Sequence, residues 1–590
     1  MFSKLPSLTT LLFFYHVSIS SVKGTTLPYA SESDFAALPN AAISLRDCAI
    51  KALGSDAVSR LVDNSSAAYD DARMGEKIQY DQFPTLIAYT KSSTEVQELV
   101  KCANANGIKA VPRSGGHHFE SYSALSNTLV IDIGHIDSVT VASDRKTAVA
   151  GAGTRLGRLY LALDAHNTTF VGGICPTVGL SGLLASGGFS MVMRSQGLSV
   201  DYVQSLKAVN SAGVLVTASA SQNSDLFWAM LGGGGGTYAI ATEFTLRLSQ
   251  LPRSAMVFLT WSGYNSTVTK GVAYQVAKRF LEWAPKADPA FTSQVNVYGN
   301  TVQVLGWYLG KSKVQLQELM DSSELLNVTG QAPRTVVIEG DCDTDNSRLF
   351  GYTTFTCQKD SDVNPFIMNT IQDPFSALPD GTPQFTYNET TVSSSVEAAP
   401  PWARFKRMGK SFYMQKDNLL QDEALEEIVS RIQSLDKDSQ IWGEWHAWNI
   451  TANKGTRNAF GWREEAYAHL QFQAHGSEDV VKQKGYEKWF EDLEAFLRPK
   501  TGMASYSGYM DANISTNPYE SYFGGNVCKL VGVKKKYDPN NFFTNPFAIT
   551  PVAPKGGSNN LVILAIYTLM QHNLVASGIM LFDIDALQGP

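Results

Sequence analysis

The sequence predicts an α+β protein: a ligand-binding domain, then a second domain that is an antiparallel sheet covered by helices. Three observations carry this expectation. A strand–helix–strand pattern beginning at Pro84 runs into a glycine turn, Ser114-Gly115-Gly116. A glycine-dense stretch, 171–201, follows outside any repeat. After Leu251-Pro252 the texture changes to alternating apolar runs and concentrated aromatics, up to about residue 500.

The elements follow in chain order. Residues 21–80 read as an entry segment of short helices. A strand over 85–89 leads to Ser92 with Glu95 three residues on, a capping box, and then to Val96, Leu99, Val100 and Ala103 at helical spacing. Asn104 to Gly107 closes that helix, a strand over 108–112 delivers the glycine turn, and a further strand covers 128–133. Such a unit holds its ligand at the carboxyl end of a strand. Two successive glycines let consecutive amides close on an anionic group, and His117 stands where that group would sit. Next come a strand over 147–151, Gly153-Thr154, and a helix through Leu156, Tyr160 and Leu163. The glycine density of 171–201 implies backbone lying against a flat or anionic ligand, or a series of tight turns. Strands are expected at 202–210, 213–217 and 238–248. Beyond the boundary, 294–298 and 302–307 alternate as antiparallel strands do, and helices at 272–283 and 423–435 would cover one face. Of Trp402, Trp442, Trp445, Trp448 and Trp462, most belong to a core, and some could line a cleft. Residues 530–543 read as a helix stopped by Asp538-Pro539.

At 590 residues the chain exceeds what one core fills, so two domains are expected. A net charge of -7 without a basic run gives no reason to expect nucleic acid as a partner. Lys4, an apolar run over 8–17 and Ser18-Ile19-Ser20 form a secretory signal cleaved near Ser20, too short to span a membrane. Sequons at Asn64, Asn167, Asn265, Asn327, Asn388, Asn449 and Asn513 fit an extracellular protein. The six cysteines then face an oxidising compartment: Cys48 could join Cys102 and Cys342 could join Cys357. Cys175 and Cys528 remain, as thiols or as a third pair. The tail, 553–590, is apolar over 561–582 but interrupted by Gln571-His572-Asn573 and followed by Asp583 and Asp585, which favours an appended tail over a membrane anchor. A monomer is expected.

Pro112-Arg113-Ser114-Gly115-Gly116-His117, Gly173-Ile174-Cys175-Pro176-Thr177-Val178-Gly179, Gly187-Gly188, Gly197-Leu198 with Asp201, and Tyr537-Asp538-Pro539-Asn540 with Phe543 resemble the berberine-bridge-enzyme-type flavin oxidases of the vanillyl-alcohol-oxidase superfamily. Within it, the chain most resembles secreted fungal carbohydrate oxidases, over residues 39–552. The resemblance implies a two-subdomain FAD-binding domain of the PCMH type over 41–252, a substrate domain over 253–505, and a return to the first domain over 506–552. It implies FAD bonded twice, through His117 to the flavin 8α carbon and through Cys175 to flavin C6, and no metal. Arg113, Ser114, Gly115 and Gly116 would cradle the pyrophosphate, and Gly153, Thr154, Gly179, Ser181, Gly182, Gly188 and Ile240 would also touch the cofactor. Val178, small and beside the reactive carbon, is what members that use dioxygen well carry there. His118 inherits no role.

The same resemblance assigns the chemistry. A base must take a hydroxyl proton while hydride leaves carbon. The family places its tyrosine in a Tyr-x-Asn-Tyr-x-Asp motif, and Tyr506 to Asp511 makes Tyr509 the candidate, with Gly508 in place of the asparagine. Glu444, in Gly443-Glu444-Trp445-His446, would be its carboxylate partner; as a plain residue it also reads as a surface carboxylate on a strand. Phe119 stands where the carbohydrate oxidases bind substrate through a tyrosine, and Gln471 matches a sugar-binding glutamine. The implied activity is a secreted oxidase that converts the anomeric alcohol of an oligosaccharide to a lactone, with dioxygen reduced to hydrogen peroxide. Oxidation of a secondary metabolite is the alternative within enzymes. A flavin-loaded extracellular protein for binding or defence is the alternative outside them.

Overall fold

The protein is described from a computed structural model over residues 40–75, 77, 80–173, 175, 177–250, 254–262, 269–338, 406–435, 439–453 and 458–552. The signal segment, the Leu251-Pro252 boundary, Trp402, Cys342 and Cys357, the sequons at Asn265 and Asn388, and the tail lie outside those residues.

The glycine turn ends a strand of a four-stranded sheet. Leu86–Tyr89 and Ala110–Arg113 lie parallel on either side of Leu129–Asp132, and Leu61–Val62 adds antiparallel at one edge. Both faces of the central strand are buried, as its unbroken apolar run requires of a parallel strand. The helix that precedes the turn, Ser93–Ala105, starts where the sequence places it, with Ser92 Oγ accepting from Glu95 N–H at 3.3 Å. Only that half of the capping box forms. The Glu95 carboxylate accepts from Lys91 N–H at 2.6 Å and pairs with Arg60 at 2.8 Å. Cys48 and Cys102 are joined, Cα atoms 5.7 Å apart, so helix Asn40–Leu53 is stapled to this one. A second, wholly antiparallel sheet completes the first domain, in the order Val139–Val141, Thr147–Gly151, Ile240–Arg247, Val203–Val209, Leu215–Ser219.

The second domain is one antiparallel sheet of seven strands. In spatial order they are Arg334–Ile338, Ser254–Ser262, Thr301–Leu309, Phe291–Val297, Ile441–Ala447, Ala466–His475 and Arg407–Gln415. Helices Thr269–Trp283, Asp422–Gln433 and Val480–Thr501 cover one face, which carries Val295, Val304, Phe412, Trp445, Leu470 and Phe472 in a core of its own. The opposite face turns toward the first domain.

The chain then returns. Tyr506, Tyr522, Leu530 and Phe543 belong to the core of the first domain, and Phe543 pairs with Ala110 as a parallel bridge beside the strand that bears the glycine turn. Helix Val527–Tyr537 stops before Asp538-Pro539 as expected. Its Lys534 is fully buried, donating to Asp538 at 2.7 Å and to the carbonyls of Thr237 and Phe543 at 2.5 and 2.6 Å. The two domains are pinned by side chains. Arg194, buried, donates to the carbonyls of Pro285, Ala287, Asp288 and Phe291. Asp201 accepts from Leu198 N–H, Asn458 and Arg463. The Gly197/Asp201 motif is therefore an interdomain anchor.

Candidate active site

Two glycine segments meet backbone to backbone. A Cβ on Gly115 would fall inside contact distance of the Gly179 amide nitrogen, and one on Gly179 would strike Gly115 in return, so neither position accepts a side chain. Arg155 bridges the same segments, donating from one nitrogen to the carbonyls of Gly115 and Thr177. Ser114 and Ser181 both donate to Ala152 O, at 3.1 and 2.6 Å. These bonds gather the segments containing His117, Cys175 and Gly153-Thr154 into one surface. Val178 N–H donates to Cys175 O at 3.2 Å, fixing the turn between them. Cys175 and Cys528 are separate thiols, which removes the third disulfide.

The surface has room and an unmet need. The Thr154 hydroxyl is fully buried without a protein hydrogen-bond partner, and a Cβ on Gly182 would meet nothing within 4 Å. Gly116 is left-handed (φ 71), opening the turn. Gly153 packs on Ile133 O, Gly188 on Ser199, and Ile240 is buried at the start of its strand. A flat cofactor with a polar tail fits this surface: an orphan hydroxyl to satisfy, bare backbone to lie on, and an imidazole and a thiol on the two segments that form it. One expectation needs correction. The Arg113 guanidinium does not reach toward a phosphate: it is buried and bonded to Asp132 at 2.5 Å, Ala72 O at 2.5 Å and Tyr89 OH at 3.3 Å. What Arg113 offers is its place in the backbone. His118 is half-buried and kept neutral, its imidazole pushed down to about 4 by desolvation, and its Nδ1 accepts from Glu120 N–H.

Across from this surface stands the open face of the seven-stranded sheet. Because strand side chains alternate, residues directly opposite one another form rows. One row runs Asn296, Glu444, Gln471, Ser411; the next runs Gln294, His446, His469, Tyr413. Glu444 thus faces the site. Its carboxylate accepts from Gln473 at 3.4 Å and lies 3.1 Å from His446 Nε2. Gln471 is buried with its carbonyl oxygen lacking a protein partner.

Tyr509 enters on the returning segment, in the turn Ser507–Tyr509. Its ring stacks on His469 at 5.8 Å and meets the edges of Phe119 at 5.2 Å, Tyr506 at 5.0 Å and Phe189 at 6.1 Å. Tyr506 cannot substitute for it, because its hydroxyl is held by the backbone amides of Gly188 and Phe189. Gly508 also finds its reason: a Cβ there would collide with the Tyr506 ring. Burial, then the Glu444 carboxylate, then Tyr506 and Cys175 hold the Tyr509 phenol well above its ordinary range, with Arg407 opposing. At neutral pH Tyr509 is a phenol beside a carboxylate, so it can accept a substrate proton only as its own phenolic proton leaves toward that carboxylate in the same step. Phe119 lies between Tyr509 and Gly409, its ring also capped by Lys77 Nζ at 5.0 Å.

Sequence reasoning missed His446, His469 and Tyr413. The alternation in Gly443-Glu444-Trp445-His446 was the available signal, since it puts Glu444 and His446 on one face.

A bare-backbone cradle, an imidazole and a thiol from separate segments beside it, and a phenol–carboxylate pair over them define the class: a flavin-dependent oxidoreductase. Comparison with known proteins agrees. Residues 84–219 match the FAD binding domain family and residues 505–550 the berberine and berberine-like family. FAD-linked oxidoreductase pynB of Aspergillus niger is 55% identical over 88% of this chain and 94% of its own. Among solved structures, a variant of BBE-like 1 of Physcomitrella patens is 25% identical, with a TM-score of 0.70 over 87% of this chain and all (100%) of its own. A chitooligosaccharide oxidase, 21% identical over 86% of this chain and 100% of its own, shares the fold with a TM-score of 0.68. The chain belongs to the berberine-bridge-enzyme-like FAD-linked oxidoreductases.

Proposed function

We propose that the chain is an oxidase acting on a carbon that bears a hydroxyl group, with FAD attached at both His117 and Cys175 and dioxygen as final acceptor. When bound, FAD accepts the hydride from that carbon. The side chains handle the proton: Tyr509 takes it from the substrate hydroxyl and Glu444 receives it from Tyr509. The observation that carries this reading is the Glu444 carboxylate in electrostatic reach of the Tyr509 phenol, on a face that turns toward the glycine cradle. Ser114, Gly115, Gly116, Gly179, Ser181, Gly182 and Thr154 would hold the cofactor, and Val178 leaves space for dioxygen. The protein would act after export, as a monomer.

For the substrate, we infer a compact hydroxylated metabolite with an unsaturated or aromatic portion. Phe119 supports this, because it brings a ring without a hydroxyl to the base, next to Phe189. The relative at 55% identity is named an oxidoreductase without a sugar, whereas the sugar oxidase is alike at 21%. A second reading, oxidation of an oligosaccharide at its anomeric carbon to a lactone, is favoured by the carboxamides of Asn296, Gln471 and Gln473 around Glu444, which suit a polyol. Peroxide release from purified protein, screened over hydroxylated aromatic metabolites and over oligosaccharides, separates the two. Tyr509→Phe is expected to slow substrate-dependent flavin bleaching by about 10²–10⁴-fold while the flavin stays bound. Unchanged bleaching refutes the assignment. After acid precipitation the colour is expected in the pellet, with the peptides of His117 and Cys175 both carrying the cofactor mass; colour in the supernatant refutes the double attachment.

A further inference from the structure

Behind the phenol–carboxylate pair lies a group that the reaction as described leaves unused. His446 is 1% exposed, and its Nε2 lies 3.1 Å from Glu444 Oε1. Its Nδ1 is buried without a hydrogen-bond partner. On the neighbouring strand His469 stands directly opposite, rings 5.7 Å apart and stacked, with both nitrogens buried and likewise without partners. Phe189 closes the side toward the first domain, its ring 5.0 Å from that of His446, and across the other ladder the facing residue is Gln294, which carries no charge. The groups that can exchange charge with His446 are therefore Glu444 on its own strand and His469 beside it. Tyr509 and Arg407 act on the same carboxylate–phenol cluster from the returning segment and the edge strand.

This arrangement bears on a balance the reaction must close. Oxidising a CH–OH carbon to a carbonyl releases one hydride and one proton. Reducing dioxygen to hydrogen peroxide takes up two electrons and two protons. The hydride returns two electrons and one proton, so the other proton has to be held or drawn from solvent. A carboxylate hydrogen-bonded to a buried imidazole is a proton-binding unit whose charge changes from −1 to 0. His469 is a poor resting place, because burial and the adjacent His446 both hold its imidazole far below the ordinary range.

We propose that Glu444 and His446 together store the substrate's proton between reduction and reoxidation of the cofactor, with His446 as the positioning and proton-sharing partner of Glu444. This rests on the oxidase reading but has its own test, which needs no substrate. If the pair takes up one proton whenever the flavin is reduced, reduction couples two electrons to two protons; without it, to one. Each coupled proton makes the two-electron equilibrium tenfold less favourable per pH unit, about 30 mV. The midpoint potential of the flavin-loaded protein, titrated between about pH 6 and about pH 8, is expected to fall by about 60 mV per pH unit in the wild type and by about 30 mV in His446→Gln. A wild-type slope of about 30 mV overturns the proposal even should the variant fail to load flavin, and a slope of about 60 mV kept in His446→Gln overturns it equally. Tyr509→Phe keeps the steep slope while losing substrate-driven bleaching. Bleaching that survives in Tyr509→Phe would refute the oxidase assignment instead, so the two failures are distinct.

Discussion

Glu120, three residues beyond His117, offers the sharpest stability test. It is buried between the turn that carries His117 and the turn that carries Tyr509. Tyr80 OH and Ala512 N–H bond to it, and Asp511 lies close by. Asp511 in turn bonds Lys410, which also pairs with Glu494 at 2.6 Å, and Glu494 pairs with Arg498 at 3.0 Å. Burial first, and the Asp511 charge second, push the Glu120 carboxyl from 4.5 up to about 8. Between those values the folded protein holds a proton that the unfolded chain has released, so stability falls as pH rises, by about 1.4 kcal/mol per pH unit. At pH 7 the accumulated cost is of order 3 kcal/mol, and it levels off above about pH 8. Glu120→Gln keeps the shape and hydrogen bonding of the neutral acid and has nothing to ionise. Urea unfolding of wild type and variant at a series of pH values is the assay. The variant is expected to match the wild type near pH 4.5 and to exceed it by about 1 to 4 kcal/mol between pH 5.5 and pH 7.5. A difference independent of pH would show that Glu120 ionises normally in the folded state and refute the argument.

Other consequences are simpler to state. Replacing both Cys48 and Cys102 by Ala opens a crosslink between residues 54 apart in sequence, and chain-entropy arguments give a loss of about 4 kcal/mol, read from the urea midpoint at constant slope. Of the sequons, Asn64, Asn167, Asn327 and Asn513 are exposed, whereas the Asn449 carboxamide is half-buried and donates to Pro285 O at 2.7 Å. Mass spectrometry of the protein produced through a secretory host is expected to find Asn449 bare, and a glycan there would contradict the interdomain packing.

Much of the fold was legible in the chain. The 3.6-residue spacing before the glycine turn and the alternation at 294–298 and 302–307 located elements to within a few residues, because each is set by its own side chains. Tyr509 and Glu444 came from motifs, and the structure brings them together. What could not be read was pairing at a distance. Lys410 with Asp511, Arg194 with the 285–291 loop and Asp201 with Arg463 join residues roughly a hundred or more apart. Nothing local in the sequence distinguishes such a buried charge from a solvated one. Arg113 shows the converse error: the family resemblance implied a place in the pyrophosphate cradle, but its guanidinium is taken by Asp132 on the adjacent strand.

The fully buried Lys534 and the Phe543 bridge have a consequence for biogenesis. The sheet edge that supports the His117 turn is left uncovered until residues 527–549 have emerged from the ribosome, when nearly everything upstream has already been translated. A nascent chain can therefore assemble the second domain first, but its cradle for the prosthetic group stays unfinished through synthesis. A chain cut shortly before residue 543 would lack both the Phe543 bridge and the Lys534 contact to the Phe543 carbonyl, and it is expected to be recovered without bound FAD, which the absorbance of the purified protein checks.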